Sequence, residues 1–148
     1  MGVRSWGLGV GGWGFGAQRV RTGMGINSFR DLRVWHVGMD LAEQVYGLTE
    51  SFPRHEVFGL AGQAQRAGVS IPSNIAEGHA RESTKEYLHH ISMAQGSVAE
   101  LQTQLELAKR LRYISGDQLA PAMDLATSLA KQLHALRNAL QKRLASCP

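Results

Sequence analysis

The stretch STKEYLHHISMAQGSVAELQTQLELA, Ser83 to Ala108, decides the fold. Tyr87, Ile91, Ala94, Val98, Leu101, Leu105 and Ala108 recur at alternating steps of four and three, which puts them on one side of an α-helix and leaves the other side polar. Ser83 and Glu86 stand in capping-box spacing at its start. A half-buried strand would alternate with period two, and the chain has no such run of useful length. The same helical period extends to both sides of this stretch, so the fold class is all-α.

Upstream, a first helix is expected after Ser28, with Leu32, Trp35, Met39, Ala42, Val45 and Leu48 on one stripe before Ser51-Phe52-Pro53 ends it. A second is expected from His55 to Glu77, with Leu60, Ala64, Gly68, Ile71 and Ile75 inward and Gly78 as its C-cap. Downstream, a fourth starts near Ser115 to Asp117 and carries Met123, Ala126, Leu129, Leu133, Leu136, Leu140 and Leu144, with Pro121 in its first turn. Helices of about 22 to 28 residues joined by roughly four to six residues predict an antiparallel up-down-up-down four-helix bundle over residues 28–148.

Within the second helix, QRAGVSIPSNIAEGHARES (Gln65 to Ser83) carries Pro72 in a helical run, where a proline costs ~3 kcal/mol. Gly68 leaves room for the ring and for a bend. Beside it, Arg66, Ser70, Asn74, Glu77 and Arg81 form a continuous polar line. Two readings compete: these side chains satisfy groups that the proline exposes, or they form an interface with a subunit or a ligand.

The chain has 148 residues, enough for one domain that buries roughly two thirds of its unfolded surface. Its single cysteine, Cys147, excludes an internal disulfide framework and fits a reducing cytoplasm. No apolar run approaches the ~20 residues of a membrane-spanning helix, so no membrane partner is expected. Residues 1–27 are glycine-rich, with Arg4, Arg19 and Arg21 as their only charges, and read as a disordered tail or an upstream extension of a chain starting at Met24. Gly7, Gly9 and Gly12 fit G-x-G-x-x-G without a preceding strand, and Trp6 stands where a myristoylation signal needs Ser or Thr.

Charge is uneven: residues 28–108 hold six basic and ten acidic side chains, residues 109–148 seven and two. Candidate phosphate contacts for RNA or DNA are therefore Lys109, Arg110, Arg112, Lys131, Arg137, Lys142 and Arg143. Ordinary solvated helix faces explain the same residues, since Glu100, Glu106 and Asp124 lie among them. Glu86 and His89 have the E-x-x-H spacing of di-iron bundles, but no second such motif exists and His134 follows Lys131 at that offset. Glu86 reads as a cap and His89 as a solvated or interface side chain. No nucleophile or glycine-rich elbow accompanies His79, His89 and His90, so no enzyme, cofactor or metal is expected.

The segments FRDLRVW (Phe29 to Trp35), LTESFPRHEVFGLAGQAQRAGVSIPSNIAEGHAR and KEYLHHISMAQGSVAELQTQLELAKRLRYI closely resemble the bacterial four helix bundle proteins. That family was first noticed as reading frames inside intervening sequences of large-subunit ribosomal RNA genes. The resemblance runs from Phe29 to about Leu144. It implies a left-handed bundle that assembles as a homo-pentamer, and no known catalytic residues. A similar fold in the accessory variability proteins of diversity-generating retroelements is a distant relation. The family signature falls on Arg66, Ser70, Pro72, Asn74, Ile75, Glu77 and Gly78, and on Gly96, Ser97, Glu100 and Leu101. After IAEG the relatives' aromatic and basic positions are here His79 and Arg81, the latter closing the motif. The expected partners are thus further copies of the chain with RNA or other nucleic acid, or a protein partner for a pure scaffold.

Overall fold

The computed structural model describes residues 25–146. Four α-helices account for most of them: α1 Arg33–Thr49, α2 Leu60–Ala80, α3 Thr84–Arg110 and α4 Gly116–Ala145. Short 3-10 turns cover Phe29–Asp31 and Arg54–Glu56, and no strand occurs among the described residues. The tail before Gly25, with its glycine motif and the candidate start at Met24, and Cys147 lie outside the described residues.

Each helix packs on its sequence neighbour, and α1 also packs on α4, so the four enclose one core. Leu41, Val45, Ile71, Ile75, Ile91, Leu101, Leu105, Leu129 and Leu133 are fully buried there. Between α1 and α2, Gly38 faces Ile71 and Pro72, Gly68 faces Ala42 and Val45, and Gln65 Nε2 donates to Thr49 Oγ1. Positions that rise along α1 therefore meet positions that fall along α2. Between α2 and α3 the register falls likewise, from Ser70 against Ser97 to Asn74 against His90.

The α3 stripe is buried as its spacing predicts, apart from the half-buried Tyr87, and Ser83 Oγ caps the helix by accepting from Glu86 N at 3.2 Å. The inward positions predicted for α2 are all buried. Helix α4 starts behind Ser115, which forms a capping box with Gln118.

Several expectations change. Ser28 caps the 3-10 turn rather than α1, through a box in which Asp31 Oδ2 accepts from Ser28 N at 3.1 Å. Leu32 is extended at the α1 N-cap and turns into the core. The buried stripe of α1 is Val34, Gly38, Leu41, Ala42, Val45 and Thr49; Met39 is 45% exposed and Trp35 only half-buried. Helix α2 starts at Leu60, not His55, because Glu56 Oε2 accepts from Leu60 N at 2.8 Å and fixes the entry there. Gly78 lies inside α2, and Arg81 takes the C-cap. Pro121 sits beyond the first turn of α4 on its exposed face, where water can reach the Asp117 carbonyl that its missing N–H leaves free. Through Pro72, α2 runs unbroken, and the helix that approaches closely over Gly68 and Pro72 is α1.

Candidate functional site

The polar line of α2 faces α3. Ser70 Oγ and Ser97 Oγ are 2.8 Å apart, and Asn74 Nδ2 donates to Ser70 O at 2.9 Å and to Ser70 Oγ at 3.0 Å. His90 Nδ1 donates to Asn74 Oδ1 at 3.1 Å. Asn74 is only 8% exposed, so these bonds replace water that burial removes. Glu77 holds Arg81 at 2.7 Å and lies 3.9 Å from His90 Nε2, which extends the line to the rim. Thus Ser70, Asn74, Glu77 and Arg81 are brought together, and their partners Ser97 and His90 belong to the same chain.

Close packing makes this seam possible. A Cβ at Gly78 would lie 2.8 Å from His90 Cβ and 2.8 Å from the Tyr87 ring, so α2 and α3 touch there only through glycine. Burial raises the Tyr87 phenol above its ordinary pKa. Of the other signature residues, Pro72 turns toward α1, Ile75 and Leu101 join the core, and Arg66 is exposed. Glu100 accepts from Gln104 Nε2, and Gly96 faces open space.

The seven candidate cations are spread over the end of α3 and the length of α4. Lys109, Arg110 and Arg112 sit at the end of α3 beside the start of α4, with Lys109 Cε 3.7 Å from where a Gly116 Cβ would be. At 1.5 Å per residue, Lys131 lies ~22 Å along α4 from Gly116, and Lys142 and Arg143 lie ~40 Å away. Arg137 is half-buried, the other six are exposed, and Arg110 pairs with Glu106 at 3.7 Å. Arg112 is unusual: its φ of 64° is left-handed. Arg112 N bonds Lys109 O and Tyr113 N bonds Ala108 O, a Schellman cap whose left-handed position glycine normally fills.

His89 and Glu86 are exposed, and among the described residues no three His, Cys, Asp or Glu side chains converge as metal ligands. No helix is long and apolar enough to cross a membrane among the described residues.

Sequence reasoning missed an apolar strip on the outside of α1 and α2. Phe29 packs edge-on against Trp35 at 5.2 Å, and a groove of about 670 Å³ runs between Phe29, Trp35, Met39 and Tyr46 on one side and Val69 and Pro72 on the other. A second depression shares Tyr46 and Val69 and reaches Val57 and Phe58. Phe58 is 94% exposed. The available signal was the four-residue spacing of Trp35 and Met39, with Tyr46 a further seven on, beside the stripe that enters the core.

A model of the 23S rRNA-intervening sequence protein family matches residues 30–135. The crystal structure of a protein with unknown function from the S23 ribosomal protein family of Bacteroides thetaiotaomicron is similar in fold, with a TM-score of 0.66 and 24% identity. The similarity covers 70% of this chain and 97% of that one. No curated protein matches the chain.

Proposed function

The chain belongs to the 23S rRNA-intervening sequence protein family, and from that premise we propose that it is a non-enzymatic four-helix-bundle protein that works as a homo-oligomer, a pentamer, in the cytoplasm. The reading includes a bundle unit over residues 28–148 in antiparallel up-down-up-down order with left-handed twist, preceded by a separate tail. The falling registers between α1 and α2 and between α2 and α3 support that order. One observation carries self-association: Met39, Tyr46, Val57, Phe58 and Val69 are between 43% and 94% exposed and line one connected apolar strip. Contiguous exposed apolar surface marks an interaction site. Light scattering of the full chain tests it: the expected mass is five times that of the chain, and a monomer at all concentrations overturns the reading.

A second reading, RNA binding by the assembled protein, is favoured by Arg112. A left-handed non-glycine residue costs about 1–2 kcal/mol, and a guanidinium on an exposed corner beside Lys109 and Arg110 is a reason to bear it. Fivefold repetition would make such corners multivalent. Arg112→Gly is expected to stabilise the fold by about 1 kcal/mol and to lower both RNA affinity and the salt slope of binding. Fluorescence anisotropy across a salt series checks this; unchanged RNA binding by Arg112→Gly overturns it. A protein partner in place of RNA is the alternative, and absence of RNA binding by an intact oligomer would favour it.

A further inference from the structure

We infer that copies of this chain join head to tail, the Phe58 ring of one copy entering the α1–α2 groove of the next. This rests on the self-association reading and names the contact that performs it. Phe58 stands on the connection between α1 and α2, and at 94% exposed its ring fills neither its own depression nor the groove. The bond from Leu60 N to Glu56 Oε2 and the packing of Gly62 against Val57 O, 2.7 Å from an added Cβ, hold this corner in place. The groove opens toward the other end of α1, around Met39 and Pro72. From Met39 to Tyr46, which borders the Phe58 depression, is seven residues of helix, ~10 Å, so an anchored Phe58 does not reach the groove's centre. A second copy can supply it.

Charge agrees with this direction. Glu43 lines the groove, whereas Arg66 lines the depression beside Phe58 and Arg54 begins the turn that presents it. A head-to-tail contact brings the acidic wall of one copy to the basic flank of the next. A five-membered ring requires this heterologous arrangement, because two-fold contacts join copies only in pairs. Knob and groove at separate positions on the α1–α2 face allow a heterologous contact, which closes into a ring when its rotation permits. An aromatic anchor in an apolar pocket is also what dominates interface energies, and Tyr46 and Val69 widen the contact beyond the anchor.

The test uses two full-chain variants, Phe58→Glu without a knob and Met39→Glu without a groove. Both sites are exposed, so helicity by circular dichroism and the melting temperature of the monomer should be retained. Each variant alone is expected to be monomeric, its association at least about 30-fold weaker than that of the wild type. Mixed one to one, they retain a single productive contact, since Met39→Glu keeps its knob and Phe58→Glu its groove. The expected mass of the mixture is that of two chains and no more. An oligomeric Phe58→Glu, or a mixture that stays monomeric while the wild type assembles, overturns the knob-and-groove contact and leaves self-association standing. A monomeric wild type overturns both.

Discussion

On its α3 side, α2 presents Ser70, Asn74 and Gly78 to Ser97, His90 and Tyr87; on its outer side, Val69, Pro72, Ser73 and Ala76 border a groove walled by α1 and Phe29. The first flank is closed. Its polar atoms have partners within the chain, and its glycine brings the helices into contact. The second is open, with apolar side chains left in water at a cost of roughly 25 cal/mol per Å². A fold that pairs Ser70, Asn74 and His90 within the chain yet leaves an apolar strip exposed has closed one seam and, on the proposed reading, kept the other for association. The residues of the family signature divide along the same line: Asn74 and Gly78 serve the closed seam, and Pro72 floors the groove.

Two glycine substitutions probe this contrast most strongly. Gly78→Ala sets a methyl 2.8 Å from His90 Cβ, which cannot give way without separating α2 from α3. Overpacking of about 1–3 kcal/mol is set against the ~1 kcal/mol gained in helix propensity, so net destabilisation of up to about 2 kcal/mol is expected. Gly96→Ala, on the outward face of α3 with nothing within 4 Å, should stabilise the monomer by about 0.5–1 kcal/mol. Urea denaturation of both variants decides the matter, and a stabilised Gly78→Ala would mean the seam is looser than described.

Next in size is Asn74→Ala, which removes the acceptor of His90 Nδ1 and the donor to Ser70. A loss of about 1 kcal/mol is expected, with a coupling of similar size in a double-mutant cycle against His90→Ala. Additive single effects would show that the two side chains do not share a network. The matching substitution on the open flank, Met39→Ala, should move monomer stability by less than about 0.5 kcal/mol.

The closed seam was half legible in the sequence. The period of α3 and the inward face of α2 were readable because a continuous apolar stripe at 3.6-residue spacing admits one burial. The polar line from Ser70 to Arg81 was readable too, but its partner His90 was not, because a partner requires the register between two helices. Helix α1 was misphased for a physical reason. It carries two apolar stripes, and Trp35 and Met39 look as much like core as Val34 and Leu41 until the packing shows which stripe faces inward. Glu56 as the cap of α2 escaped notice because its carboxylate reaches forward from a 3-10 turn that has no apolar period. The scatter of the basic residues was calculable from helix rise alone, once α4 proved unbroken to Ala145.

The smallest effect isolates the edge of the closed seam by pH. Tyr87 stacks edge-on with His79 at 5.9 Å and lies against Gly78, and burial raises its pKa from the ordinary 10.0. The folded protein thus holds the neutral phenol more tightly than the unfolded chain does. This stability is fully present below pH 10 and is lost as pH rises through the raised folded value. Tyr87→Phe cannot ionise, so its loss of stability above pH 10 should be shallower than that of the wild type, while the two should melt within a few degrees of each other near pH 8. Parallel melting curves at both pH values would mean that the phenol reaches water freely, and that the closed seam ends before Tyr87 rather than at it.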